Sequence, residues 1–332
     1  MALKNALNNG VHRDEVSLFM AMIAYFRNNY ASVVVEKTHG HKVNYDAINP
    51  YANWGSVRKE ISDVCFIVFS RMKDIARITH LQAKWRSTPF DSASMARFEF
   101  ELDAGQFHML SNRLPVYGSK IYPNDMLSYP LYSDSIASYG VFYPNAANEI
   151  EMAFELASLL SNTSEAIFVD KNTKRDFQFA TLDTNYGYIN KYLARLDHHV
   201  PEWVKDKICR FYCVHRYESF YELLTTLDTQ TFEDELLDLH VGTRLDINPE
   251  HLEKLCSALT AKGNNNNATM QAFQDFTSHV MERNRSDQDE MRDRIPYLID
   301  GNVPLRPDMP QIADNGESVI ILIDADGHDD RQ

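Results

Sequence analysis

Residues 60–85 read EISDVCFIVFSRMKDIARITHLQAKW. Two apolar runs, VCFIVF (64–69) and ARITHL (76–81), flank a short polar segment at Arg71–Asp74. Runs this short, rich in β-branched and aromatic residues and bounded by a polar turn, predict two strands of a hairpin. Three polar residues interrupt the pattern: Asp63 opens the first strand, and Gln82 and Lys84 stand near the end of the second. Side chains two apart on a strand leave the same face, so Gln82 and Lys84 project together. A turn centred between residues 73 and 74 places Asp63 opposite Lys84 and Cys65 opposite Gln82. Opposite and diagonal neighbours on one face lie within side-chain reach, so Asp63 joins the pair.

Working outward, DEVSLFMAMIAYFRNNY (14–30) is apolar almost all round and predicts a helix buried on most sides. SVVVEK (32–37) reads as a strand, and 38–57, with its Gly, Asn and Pro residues, as a loop. Residues 87–97 are expected to form a short helix. RFEFEL (97–102) alternates like a half-buried strand. Beyond residue 103 the character changes. The stretch 111–145 is rich in Tyr, Pro, Ser and Asn and is expected to be irregular. NEIEMAFELASLLSN (148–162) is read as an amphipathic helix, and 185–225 as two more, one of them running through the aromatic ESFYELL. PEHLEKLCSAL (249–259) is a helix with Asn248 as its N-cap. NNNN (264–267) is a loop, and 268–294 a polar helix. SVIILIDAD (318–326) is a last strand before an acidic tail, DADGHDD (324–330), read as solvated.

A carboxylate, a carboxamide and an ammonium on one strand pair suit phosphodiester hydrolysis. Asp63 and the Gln82 carbonyl oxygen are hard oxygen donors for Mg²⁺ or Mn²⁺, and the Ala83 carbonyl can add another. Such a cation polarises a phosphate and lowers the pKa of a bound water. Lys84 can orient that water or stabilise developing negative charge. The competing reading is plain: an Asp before a strand is often a turn residue, and a strand-end Lys is often solvated.

At these residues the chain resembles the PD-(D/E)xK nuclease superfamily, with its restriction-endonuclease-like fold. Asp63 matches the Asp at the start of that family's second core strand. Gln82-Ala83-Lys84 matches its Glu-x-Lys or Gln-x-Lys. The resemblance implies a helical acid as well: Glu15, with Asp14 and Glu60 as rivals. Gln in place of Glu gives the site one negative charge fewer. The resemblance covers residues 10–105 and implies an α/β nuclease core over residues 1–105. Residues 106–332 would form a mainly helical accessory or interaction region, with a final strand at 318–325 able to return to the core. It implies a metal-dependent DNA endonuclease of restriction or anti-phage (antiviral) defence, with Lys84, Asp63, Gln82 and Glu15 catalytic and Asp63 and Gln82 on the metal. The alternative is a catalytically inactive nuclease-fold subunit of a larger defence complex.

Bulk properties frame this. The 332 residues carry 33 Lys+Arg against 47 Asp+Glu, a net charge of −14, which argues against a broad basic nucleic-acid surface. Residues 1–100 alone hold 13 Lys+Arg and 9 Asp+Glu, so the segment with the candidate site has the one mildly positive balance. An acidic remainder suggests a homo-oligomer or a partner protein that completes the nucleic-acid surface. No stretch approaches 18 uninterrupted apolar residues, so no membrane span is expected. The N-terminus lacks a signal-peptide core, and four cysteines do not make a disulfide scaffold, so a cytoplasmic setting is expected. His39 and His41, around Gly40, and His198-His199 are weaker metal-ligand candidates.

Overall fold

The computed structural model describes residues 2–35, 42–48, 55–91, 97–118, 124–127, 136–162, 168–170, 175–182, 223, 225–262, 268–294 and 319–326. Helices α1 (Leu3–Asn8) and α2 (Glu15–Asn29) lead into β1 (Ala31–Val35). A ribbon of β2 (Lys42–Asp46) and β3 (Ser56–Glu60) precedes the hairpin of β4 (Val64–Ser70) and β5 (Ile75–Trp85). β6 (Phe98–Asp103) runs directly into α3 (Ala104–Ser111). A second hairpin, β7 (Ala137–Pro144) and β8 (Ile150–Leu156), is followed by β9 (Ser161–Asn162), β10 (Phe168–Asp170) and β11 (Arg175–Leu182). Then come β12 (Thr225–Thr226), α4 (Thr229–Leu237), β13 (Thr243–Arg244), α5 (Pro249–Lys262), α6 (Ala268–Arg294) and β14 (Val319–Asp324).

The fold is mixed α/β. Its main sheet has the order β1-β14-β4-β5-β7-β8-β12, with β13 beside the first half of β5. The hairpin expected at 60–85 is its centre, and every residue of β4 is buried. Successive β4 side chains serve two cores. Val64, Phe66 and Val68 face α1, α2 and α4, with Phe66 edge-on to Phe26 at 5.0 Å. Cys65, Ile67 and Phe69 face the other side, where Phe69 meets Phe273 and Phe276 of α6 at 5.2 and 5.7 Å. A strand covered on both faces reads as a continuous apolar run, which is why 64–69 stood out. β14 is inserted between β1 and β4, parallel to β4 and antiparallel to β1. A smaller sheet, β10-β11-β6 with β9 against β11, lies apart from it.

Helix α2, strands β1 and β6, helices α5 and α6, and strand β14 form where expected. Asn248 caps α5, its Oδ1 accepting from the His251 N–H at 3.2 Å. Several expectations differ. Residues 148–162 are not a helix: 150–156 form β8, buried throughout. Glu, Met, Ala and Leu favour helix intrinsically, but β8 lies between β7 and β12 with both faces covered, and tertiary packing overrides the preference. Inside the expected loop 38–57 lies β2, where Val43 and Tyr45 are buried while Lys42 and Asp46 are exposed, a period-two pattern obscured by flanking turn formers. Inside the expected irregular stretch 111–145 lies β7. Its Gly140 fits a close approach, since a Cβ there would stand 3.0 Å from Leu81 and 3.3 Å from Met152. Residues 87–91 form no helix, and 92–96 lie outside the described residues. So do the helices expected at 185–222, most of the ESFYELL segment, the NNNN run, His39, His41, His198 and His199.

The hairpin register is two residues tighter than expected. Ser70 pairs with Ile75 across the four-residue turn, Cys65 faces His80, and Val64 faces Leu81. Continuing that register sets Asp63 opposite Gln82, not Lys84. A two-residue shift preserves the face, so the three polar residues still project to one side.

Candidate active site at the strand ends

Asp63 stands in the last step before β4, beside the end of β5. Its Oδ2 accepts hydrogen bonds from the Ala83 N–H at 2.8 Å and from the Gln82 side-chain amide. Gln82, 4% exposed, in turn accepts at its Oε1 from Gln106 Nε2 at 2.5 Å. The same Gln106 nitrogen donates to the Glu60 carbonyl at 3.0 Å, tying the approach to the hairpin onto α3. Gln106 is held by the start of α3, where Asp103 is the N-cap and its Oδ1 accepts from the Gln106 N–H at 2.8 Å. The other Asp103 oxygen accepts from Lys59 Nζ at 2.7 Å. Asp63, Gln82, Gln106, Asp103 and Lys59 thus form one chain of contacts across β3, β5 and α3.

Lys84, two residues on from Gln82, brings its Nζ within 3.4 Å of Glu15 Oε1, with side-chain exposures of 14% and 44%. Of the three acids considered, Glu15 is the one whose carboxylate pairs with Lys84. Asp14 is the N-cap of α2 and is occupied by Ser17, whose N–H and hydroxyl each donate to it at 2.8 Å. Glu15, the first helical residue, reaches the strand end instead. The Glu60 side chain acts on Asp63 only through its charge. All four residues expected from the sequence therefore meet at one end of the central strands.

Burial holds the Asp63 carboxyl up at about 6, against a usual value near 3.8. The Lys84 charge and the Ala83 N–H pull it down, while the Glu15 and Glu60 charges push it up. A carboxylate in this setting gains from a nearby positive charge. Among the described residues, no group of three or more His, Cys, Asp or Glu is gathered to hold a metal. The donors present are one buried carboxylate, one amide and a nearby second acid. Mg²⁺ commonly takes one or two protein carboxylates and completes its shell with water, and Asp63 and Glu15 are the two acids nearest Lys84 at this strand end. The amide is turned so that its nitrogen faces Asp63 and its oxygen faces Gln106, the reverse of what a cation beside Asp63 requires.

Two residues at the site escaped the sequence reading. Gln106 carries a visible signal, because Asp103-x-x-Gln106 is a helix-start pattern. Tyr139 carries none, because its link to the site is made by register alone: it pairs with Gln82 across parallel strands β5 and β7. Its ring packs against Phe100 and Phe107, and its hydroxyl is buried without a partner among the described residues.

Comparison of the chain with family models, with curated proteins and with solved structures finds no match. No helix among the described residues is long and apolar enough to cross a membrane.

Proposed function

We propose that this chain is a metal-dependent phosphodiesterase, a nuclease acting on DNA, with its centre at Asp63, Gln82, Lys84 and Glu15. The observation that carries the proposal is their convergence. An acid, an amide, an ammonium and a helical acid, from three separate segments, meet at the end of the strand pair where the resemblance to the PD-(D/E)xK nucleases expects them. Asp63 and Gln82 would hold Mg²⁺ or Mn²⁺, which when bound polarises the phosphate and activates water. Asp63 does this as the carboxylate. Lys84 is largely shielded and carries a positive charge at the place where a pentavalent phosphate would accumulate negative charge. Glu15 positions that ammonium through their ion pair. The acidic balance outside residues 1–100 supports an assembly, with itself or another protein, that supplies further phosphate contacts. Restriction or anti-phage defence is the setting that the resemblance suggests.

One observation favours a second reading, a non-catalytic interaction subunit. Asp63 is already bonded by Gln82 and Ala83, so the site is internally paired without a cation. Supercoiled plasmid incubated with the protein in Mg²⁺ or Mn²⁺, beside an EDTA control, separates the two. Metal-dependent nicking or linearisation supports the nuclease. Intact plasmid under every metal condition supports the subunit.

A further inference from the structure

Just past the site, β5 is followed by one more cation. Gln82, Lys84 and Arg86 alternate along the chain. The Arg86 N–H donates to the Phe142 carbonyl at 2.9 Å, so the pairing with β7 continues through it. Alternate residues of one strand project from the same face, so the Arg86 side chain leaves the sheet on the side of Gln82 and Lys84, about 7 Å beyond Lys84. Its guanidinium lies over the rings of Phe98 and Phe90, 5.1 and 5.5 Å from their centroids. Its Nε donates to the Glu99 carbonyl at 2.9 Å, and one terminal nitrogen donates to the Thr88 carbonyl. Phe90 is fixed in turn to the end of β7, where its N–H meets the Pro144 carbonyl at 2.9 Å. The fold itself therefore orients the guanidinium.

What holds Arg86 is not a counter-ion. A guanidinium has five N–H donors, and the two bonds to carbonyls use two of them. No carboxylate among the described residues stands within ion-pair distance. Glu99 offers its backbone oxygen and otherwise acts on Arg86 only through its charge. Burial pulls the Arg86 pKa down from its ordinary value, with Glu99 and Tyr143 opposing. The group stays a cation all the same. A half-buried cation with donors to spare and no ion pair gains from an anion. The planar fork of arginine matches phosphate in particular. We propose that Arg86 binds a backbone phosphate of the nucleic-acid substrate, next to the phosphate at Lys84. The inference rests on the phosphodiesterase reading, adds a substrate contact to it and involves no metal ion.

The test is binding of a fluorescein-labelled DNA duplex in EDTA, followed by anisotropy over a series of salt concentrations. The proteins are the wild type, Arg86→Met, Arg86→Lys and Arg27→Gln. Methionine keeps an unbranched stem on the Phe90 and Phe98 rings and removes the charge. Arg27, exposed in the last turn of α2, lies about 18 Å along that helix from Glu15 and controls for net charge. Arg86→Met should bind about ten-fold more weakly. Its slope of log K against log salt should be shallower by about one, the signature of one lost phosphate contact. Arg86→Lys should restore the slope, and Arg27→Gln should match the wild type. Thermal unfolding establishes that each variant is folded. Arg86→Gln, which keeps an amide donor for the Thr88 carbonyl, takes the place of Arg86→Met if methionine prevents folding. A merely structural stack would leave the slope unchanged in the folded variant, and that result overturns the proposal. An equal loss of slope in Arg27→Gln, or a wild type that binds no DNA, overturns it too. Plasmid cleavage in Mg²⁺ or Mn²⁺ reads the phosphodiesterase separately. Intact plasmid beside an Arg86-dependent slope overturns the enzyme and leaves the phosphate contact standing.

Discussion

At Asp63 one residue carries opposing demands. Its carboxyl is held up at about 6 by burial, so the folded state prefers the neutral form. The folded pKa exceeds the unfolded one. The resulting stability is present at low pH and is lost as pH rises from near 4 through about 6. Above that, ionised Asp63 opposes folding by an amount on the order of 3 kcal/mol. Asp63→Asn should therefore raise Tm at pH 8 and leave it unchanged at pH 3.5, as read by scanning calorimetry. A Tm gain of equal size at both pH values would point to packing and not to charge. The chemistry runs the other way, because only the carboxylate attracts a cation. Metal-dependent activity should fall as pH drops through about 6. Gln106 is tested at the same scale. Gln106→Leu removes the donor from two buried acceptors, Gln82 Oε1 and the Glu60 carbonyl. Urea unfolding should show a loss of roughly 1–3 kcal/mol. A neutral result would mean that both acceptors find other donors. The Asp63, Gln82, Lys84 and Glu15 cluster could be anticipated because each is a polar residue at or near the end of an apolar element. Tyr139 could not, since a register between strands more than fifty residues apart leaves no local trace.

The elements show why the hairpin holds its shape. Asp326, just past β14, accepts from the Ser70 hydroxyl at 2.5 Å, the Arg71 N–H at 2.6 Å and the Met72 N–H at 3.0 Å. Asp324 adds Arg71 at 3.3 Å. The first part of the acidic tail, expected to be solvated, instead caps the β4–β5 turn. The carboxylates there meet backbone donors that a tight turn leaves unpaired. Asp326→Ala should cost about 1–3 kcal/mol and raise amide exchange at Arg71 and Met72. An unchanged exchange pattern would refute the capping role. Gly242 presses on the same hairpin from β13's side. It has φ +89°, and a Cβ there would stand 2.5 Å from the Ile78 carbonyl oxygen. Backbone cannot give way as a side chain can, so Gly242→Ala should destabilise by more than about 2 kcal/mol in urea unfolding. The hairpin and β14 were readable in sequence because burial on both faces writes a continuous apolar run. Strand β8 was not: its Glu, Met and Leu suit a helix, and only its neighbours in the sheet decide otherwise. Strands β2 and β7 were masked by the turn-forming residues around them.

For the whole molecule, a central sheet with helices on both faces sets four residues at the ends of its middle strands, in the least acidic part of a chain with net charge −14. The sheet order explains the convergence. β4 begins where β5 ends, and α2 starts above that edge, so Asp63, Gln82, Lys84 and Glu15 are brought together by topology. The hairpin brings Asp63, Gln82 and Lys84 together locally, while the strands that flank it (β14 on one side, β7 on the other) come from far along the chain. The most direct measurement is the rate of plasmid cleavage in Mg²⁺ or Mn²⁺ by wild type and by Lys84→Ala, with both variants shown to unfold at matching temperatures. The account predicts metal-dependent cleavage that falls by about 100-fold or more when the Lys84 ammonium is removed. Equal rates in the two proteins, or no cleavage by the wild type with either metal, would contradict it.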